Sequence, residues 1–141
     1  MSSALLVLCM ISALPCVLSQ ISLSFSAPSI VKPSQTMKLT CKVTGVPITD
    51  GSKLHAIDFI RQNAEQKLVF LAHLNYAQGS AYNPSFSSRI SLSRDISKNE
   101  VYLEVRSLER EDTATYFCAG ERTACKMQEM LNRFSSVKNS Y

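Results

Sequence analysis

Five cysteines lie in the chain, and the three beyond its leader, Cys41, Cys118 and Cys125, constrain the fold more than any other feature. The leader is set apart by composition. Residues 1–19 carry no charged side chain, and Ala4 to Ile11 is an apolar stretch interrupted only by Cys9. Leu14-Pro15-Cys16-Val17-Leu18-Ser19 then leads to a small residue before Gln20. This is the layout of a secretory signal peptide, although the usual positive charge near its start is missing. A membrane anchor needs about 20 apolar residues, and Ser12, Pro15 and Ser19 interrupt a shorter run. Cys9 and Cys16 leave with the signal. An odd number of cysteines in a secreted chain means one disulfide and a leftover thiol. A bridge from Cys41 to Cys118 closes a loop of about 77 residues, worth roughly 4.5 kcal/mol in the chain-entropy model. A Cys118–Cys125 bridge closes a short loop and contributes less.

The 141 residues suit one domain. No other hydrophobic run reaches membrane length, so residues 20–141 are expected to have no membrane span of their own. Secretion, or display at the cell surface within a larger receptor, follows as the expectation. The formal net charge is +4. Its basic residues are interleaved with acids, as in Arg106-Ser107-Leu108-Glu109-Arg110-Glu111-Asp112. A nucleic-acid binder shows a basic stripe with aromatics instead, so no nucleic-acid partner is expected.

Short alternating runs separated by turn residues fill the region after the leader, the signature of a sandwich. Ile21 to Phe25 alternates apolar and polar residues, and Pro28 and Pro33 punctuate an edge-like segment. Met37, Leu39, Cys41 and Val43 fall on one face of a strictly alternating run. Residues 45–52 read as a loop. Residues 56–62 and 67–72 form the next strand pair, and Asn83-Pro84 marks a turn after the loop at 75–80. Residues 89–93 and 101–105 form a second alternating pair, with a hairpin connection at 95–99. Residues 109–113 read as a polar, helix-like turn, and strand character resumes at 115–118. Met127, Met130, Leu131 and Phe134 have helical spacing, but the stretch is short, so the tail is expected to be weakly ordered.

These strands, turns and distant cysteines suggest an immunoglobulin-like sandwich, and specific residues go further. Val31-Lys32-Pro33-Ser34-Gln35-Thr36, Leu39-Thr40-Cys41, Ile60-Arg61-Gln62, Tyr82-Asn83-Pro84-Ser85, Ser88-Arg89-Ile90 and Asp95-Ile96-Ser97-Lys98-Asn99 appear in order. They close on Asp112-Thr113-Ala114-Thr115-Tyr116-Phe117-Cys118-Ala119, the most specific run. Over almost all of residues 20–120 the chain resembles an immunoglobulin heavy-chain variable region. The resemblance implies an all-β, V-type Greek-key sandwich with a Cys41–Cys118 disulfide. It implies an ion pair between Arg89 and Asp112, and a tyrosine corner at Tyr116, two residues before the second cysteine.

Two departures qualify it. The family keeps a Trp before Ile-Arg-Gln, packed on the disulfide; here it is Phe59, and the chain contains no Trp. The fold is expected to survive with a less filled centre. The second departure follows Cys118, where no Trp-Gly-x-Gly or Phe-Gly-x-Gly joining segment appears. The last strand is therefore expected to be missing, and residues 121–141 read as a non-family tail. An unrearranged germline segment that reads on into flanking sequence is the simplest source of such a tail.

By resemblance, three loops at one end recognise antigen. The first, about residues 45–58, offers Asp50, Ser52, Lys53 and His55. The second, about 73–81, offers His73, Asn75 and Tyr76, and the third, after Cys118, offers Gly120 and Glu121. Tyr gives rigid amphipathic contact area and Asn adaptable hydrogen bonding. Ile60, Gln62, Leu68 and Phe70 fall where the family meets a light-chain variable domain, and alternation turns Ile60 and Gln62 away from Phe59 and Arg61. Lys67 replaces a usual glycine, which counts against efficient pairing. His55 and His73 read as single residues in loops, with no metal-ligand spacing. No nucleophile elbow, phosphate-binding glycine loop or paired acids appears. No catalysis, cofactor or metal is expected, and Cys125 reads as an accident of the tail. The leading function is a heavy-chain variable segment contributing to antigen binding. The alternatives are a non-rearranging receptor or surrogate-chain subunit and an adhesion module.

Overall fold

The computed structural model describes residues 21–122. Residues 1–20 and 123–141, which hold the expected signal peptide, Cys125 and the expected weakly ordered tail, lie outside the described residues. Eight strands run β1 (Ser22–Ser26), β2 (Met37–Thr44), β3 (Leu54–Gln62), β4 (Leu68–Asn75), β5 (Ser80–Tyr82), β6 (Ile90–Asp95), β7 (Glu100–Val105) and β8 (Thr115–Arg122). A 3-10 turn, Arg110–Asp112, precedes β8. The strands form two four-stranded antiparallel sheets, ordered β1-β2-β7-β6 and β5-β4-β3-β8. The chain changes sheet between β2 and β3, between β5 and β6, and again between β7 and β8, giving the expected V-type sandwich.

Alternation in the sequence becomes the core. Met37, Leu39, Cys41 and Val43 are all buried, and the register sets Leu39 opposite Leu103 and Cys41 opposite Val101. From the other sheet come Leu54, Ile57, Phe59, Leu71, Ala72 and Leu74. Two consecutive buried residues, Leu71 and Ala72, break the period-two rule. The register shifts there: Phe59 pairs with Ala72 and Ile60 with Phe70, which leaves Leu71 as the extra residue of a β-bulge. The disulfide joins Cys41 of β2 to Cys118 of β8 and so ties one sheet to the other. Phe59 is fully buried and stands opposite Cys118 in the β3–β8 pairing, so the two side chains share the inward face.

Three strands run longer than alternation implies. β3 begins at Leu54, β4 continues to Asn75 and β8 continues to Arg122. His55, His73, Gly120 and Glu121, read from the sequence as loop residues, therefore stand on strands. The reason is backbone pairing, which continues through polar residues that leave no hydrophobic period. Tyr76 N–H still donates to the His55 carbonyl at 3.0 Å, and Glu121 and Arg122 pair with Ala56 and Leu54. β8 ends at the last described residue, so the expected absence of a further strand falls outside the described residues.

Candidate binding face

The β2–β3 loop, the β4–β5 turn, the β6–β7 hairpin and the end of β8 gather at one end of the sandwich. Asp50 shapes the first. Its carboxylate accepts from the Ser52 hydroxyl at 2.5 Å and the Ser52 amide at 3.1 Å. The Ser52 hydroxyl holds the Asp50 carboxyl below its usual range. The second loop shrinks to the four residues 76–79. The Asn75 side-chain oxygen accepts from the Ala77 and Gly79 amides at 2.9 and 2.7 Å, so Asn75 builds the turn. Tyr76 at its tip is 40% exposed. Its ring lies against Gly51, where a β-carbon would collide with it, and sits 5.7 Å from the His55 ring. Arg94 donates to the Tyr76 carbonyl at 2.7 Å. First loop, second turn and the edge strand β6 are thus physically connected through Tyr76.

Asn99, in the β6–β7 hairpin, holds this end to β2. With φ at 57°, it donates to the carbonyls of Val43 and Val46 at 2.9 and 2.7 Å. Its oxygen accepts from the Ile48 amide at 2.8 Å. The sequence shows Asn99 only as a hairpin residue; its hold on the first loop spans 51 residues or more and becomes visible in the fold.

Along the outer face of the β5-β4-β3-β8 sheet the register sets Ile60 opposite Phe70 and Gln62 opposite Leu68. The four residues singled out in the sequence therefore form two adjacent cross-strand pairs. Leu68 is 59% exposed and Phe70 41%. Gln62 donates to the Gln66 carbonyl at 3.1 Å. Higher on the same face, toward the loop end, the His73 imidazole Nδ1 lies 2.6 Å from an Asp58 carboxylate oxygen, with Glu121 beside them. Spacing along the chain could not show this cluster, because its members come from three strands. Gly120 points the other way, with Leu54 and Leu23 over it, so it fills the interior and offers no side chain to a ligand.

The opposite end is closed by polar contacts. Asp112, buried, accepts from Arg89 through both oxygens, from the Glu109 amide at 2.9 Å and from Arg61 at 3.0 Å. The Arg61 and Arg89 guanidinium carbons lie 4.5 and 5.9 Å from the centre of the Phe86 ring. Tyr116 donates its hydroxyl proton to the Asp112 carbonyl at 2.6 Å, which is the expected tyrosine corner. Arg61 and Phe86 were not singled out by the sequence as anchors; the inward turn of Arg61 opposite the outward Ile60 was the one available signal.

Comparison with known proteins bears on this geometry directly. The Immunoglobulin V-set domain family matches residues 25–135. The chain belongs to that family. It is 43% identical to the mouse Ig heavy chain V region MOPC 315 over 79% of its own length and 80% of that protein's. Mouse immunoglobulin heavy variable 3-5 is 44% identical, covering 78% and 92%, and mouse Ig heavy chain V region 36-60 is 46% identical, covering 74% and 89%. The V-set domain is thus of the heavy-chain variable kind, a segment contributing to antigen binding. Among the described residues no helix is long and apolar enough to cross a membrane.

Proposed function

We propose that the outer face of the β5-β4-β3-β8 sheet receives a light-chain variable domain, and that its loop end contacts antigen outside the cell or at its surface, without chemistry. One observation carries this reading: Leu68 and Phe70 stand exposed on one face, paired across the strands with Gln62 and Ile60. Contiguous exposed apolar area of this kind marks interaction surfaces. On the loop end, Asp50, Ser52, Lys53, His55, His73, Tyr76 and Glu121 supply polar and aromatic groups, with Asn75 and Gly120 shaping the backbone beneath them. Tyr76 is the best contact, since its ring is exposed yet braced by Gly51 and His55.

Co-expression with a light-chain variable domain tests the proposal. Sedimentation should show a one-to-one heterodimer. Leu68→Asp with Phe70→Asp should weaken it at least tenfold at unchanged melting temperature. In pairs selected against an antigen, Tyr76→Ala should lower affinity at least tenfold. A chain that stays monomeric with several light-chain domains, or pairs equally well after the double substitution, would overturn the reading.

A further inference from the structure

Asp58, His73 and Glu121 each offer one ligand atom, and the three atoms lie within 4.8 Å of one another. The strand ladder assembles them. Asp58 on β3 is directly opposite His73 on β4, while Glu121 on β8 is opposite Ala56, two residues from Asp58 on the same face. Directly opposed residues are about 5 Å apart, and the diagonal neighbours about 7–8 Å, within reach of a Glu side chain. All three side chains are half-buried. They rise from paired strands and not from loops, which fixes their backbones before any ligand arrives.

We propose that this cluster is a site for a divalent transition metal, with zinc the best fit. The imidazole nitrogen of His73 and one oxygen each from Asp58 and Glu121 would serve as ligands. One imidazole with two carboxylates suits zinc, whereas magnesium and calcium take oxygen ligands throughout. Bonds of about 2.0–2.2 Å set neighbouring ligand atoms of a tetrahedral zinc ion about 3.4 Å apart. His73 Nδ1 and the Asp58 oxygen, 2.6 Å apart, share a hydrogen bond that the ion would replace, and all three ligand atoms already lie within 4.8 Å of one another. Three protein ligands leave a coordination position open. That position would take water or a donor group of a bound molecule. The metal site stands apart from the pairing proposal, because its test needs neither a light chain nor an antigen.

Isothermal titration of the purified full chain with zinc chloride should show one equivalent bound. His73→Gln and Glu121→Gln should each weaken it at least tenfold without lowering the melting temperature. The chain has two histidines, which gives a readout that needs no variant: zinc should move the imidazole proton resonances of His73 and leave those of His55 in place. Cobalt(II) should give ligand-field bands without thiolate charge transfer. Unaltered zinc affinity in both variants, unmoved His73 resonances at saturating zinc, or a thiolate charge-transfer band that tracks zinc-competitive binding would each overturn the site.

Discussion

Arg89 grips both carboxylate oxygens of Asp112, with Nη1 donating to Oδ2 at 2.8 Å and Nη2 to Oδ1 at 2.9 Å. Two parallel charge-assisted bonds fix direction as well as distance. They lock the turn before β8 to the start of β6, and so hold the two sheets in register at the end remote from the loops.

The acid limit of the fold follows from this pair. Burial pushes the Asp112 carboxyl up, but Arg89, the Glu109 amide and Arg61 outweigh it and hold the pKa at about 2, against an ordinary 3.8. A carboxylate depressed on folding contributes stability above its unfolded value and loses it as pH falls through its folded value. The contribution, about 2 kcal/mol at neutral pH, should therefore fade between pH 4 and 2. Asp112→Asn should cost about 3 kcal/mol at pH 7, because two guanidinium groups lose their counter-charge. It should also flatten the acid slope. Denaturant titrations across this range check both.

Tyr116→Phe removes the hydroxyl that donates to the Asp112 carbonyl. The expected loss is about 1 kcal/mol, with Asp112 still bound by Arg89. Urea unfolding at pH 7 should show a lower midpoint at an unchanged slope.

Asn99 should prove the most sensitive hairpin residue. Asn99→Ala removes three hydrogen bonds to the Val43–Ile48 segment and leaves a β-carbon at positive φ. The cost should be about 3 kcal/mol. Asn99→Gly relieves the backbone without restoring the bonds, and should recover about 1 kcal/mol of that loss. Faster amide exchange at Ile48 in both variants would place the damage in the first loop.

Phe59 fills the place beside Cys118 where the family keeps Trp. Phe59→Ala should cost about 4 kcal/mol. Phe59→Trp should raise the melting midpoint if the smaller ring leaves unfilled volume beside the disulfide. A lower midpoint would show that the neighbours have closed in around Phe59, since overpacking a filled core is itself destabilising. Calorimetry on the three proteins separates the cases.

Much of the architecture was legible because it rests on local alternation. Met37 to Val43 and Val101 to Val105 announce their buried faces residue by residue, and Tyr116 announces its corner by its distance from Cys118. The Arg89–Asp112 pair was legible through resemblance, and Leu68 and Phe70 through their places beside Ile60 and Gln62. Strand ends were not legible. His55, His73 and Glu121 continue strands through backbone bonds that need no apolar side chain, so periodicity stops before the ladder does.

By itself, then, the sequence determined the alternating strands of the sandwich, because a period of two is a property of neighbouring residues, and its ordered short motifs carried the resemblance that implied the family and the Cys41–Cys118 disulfide. The tertiary structure alone decided which distant side chains meet. Arg61 joins Asp112, Asn99 holds the first loop, Tyr76 rests on Gly51, and Asp58, His73 and Glu121 converge on one face. Strand register sets these contacts, and the bulge at Leu71 lies between the His73–Asp58 pair and the Phe70–Ile60 pair below it. One residue of slip would turn every side chain to the opposite face.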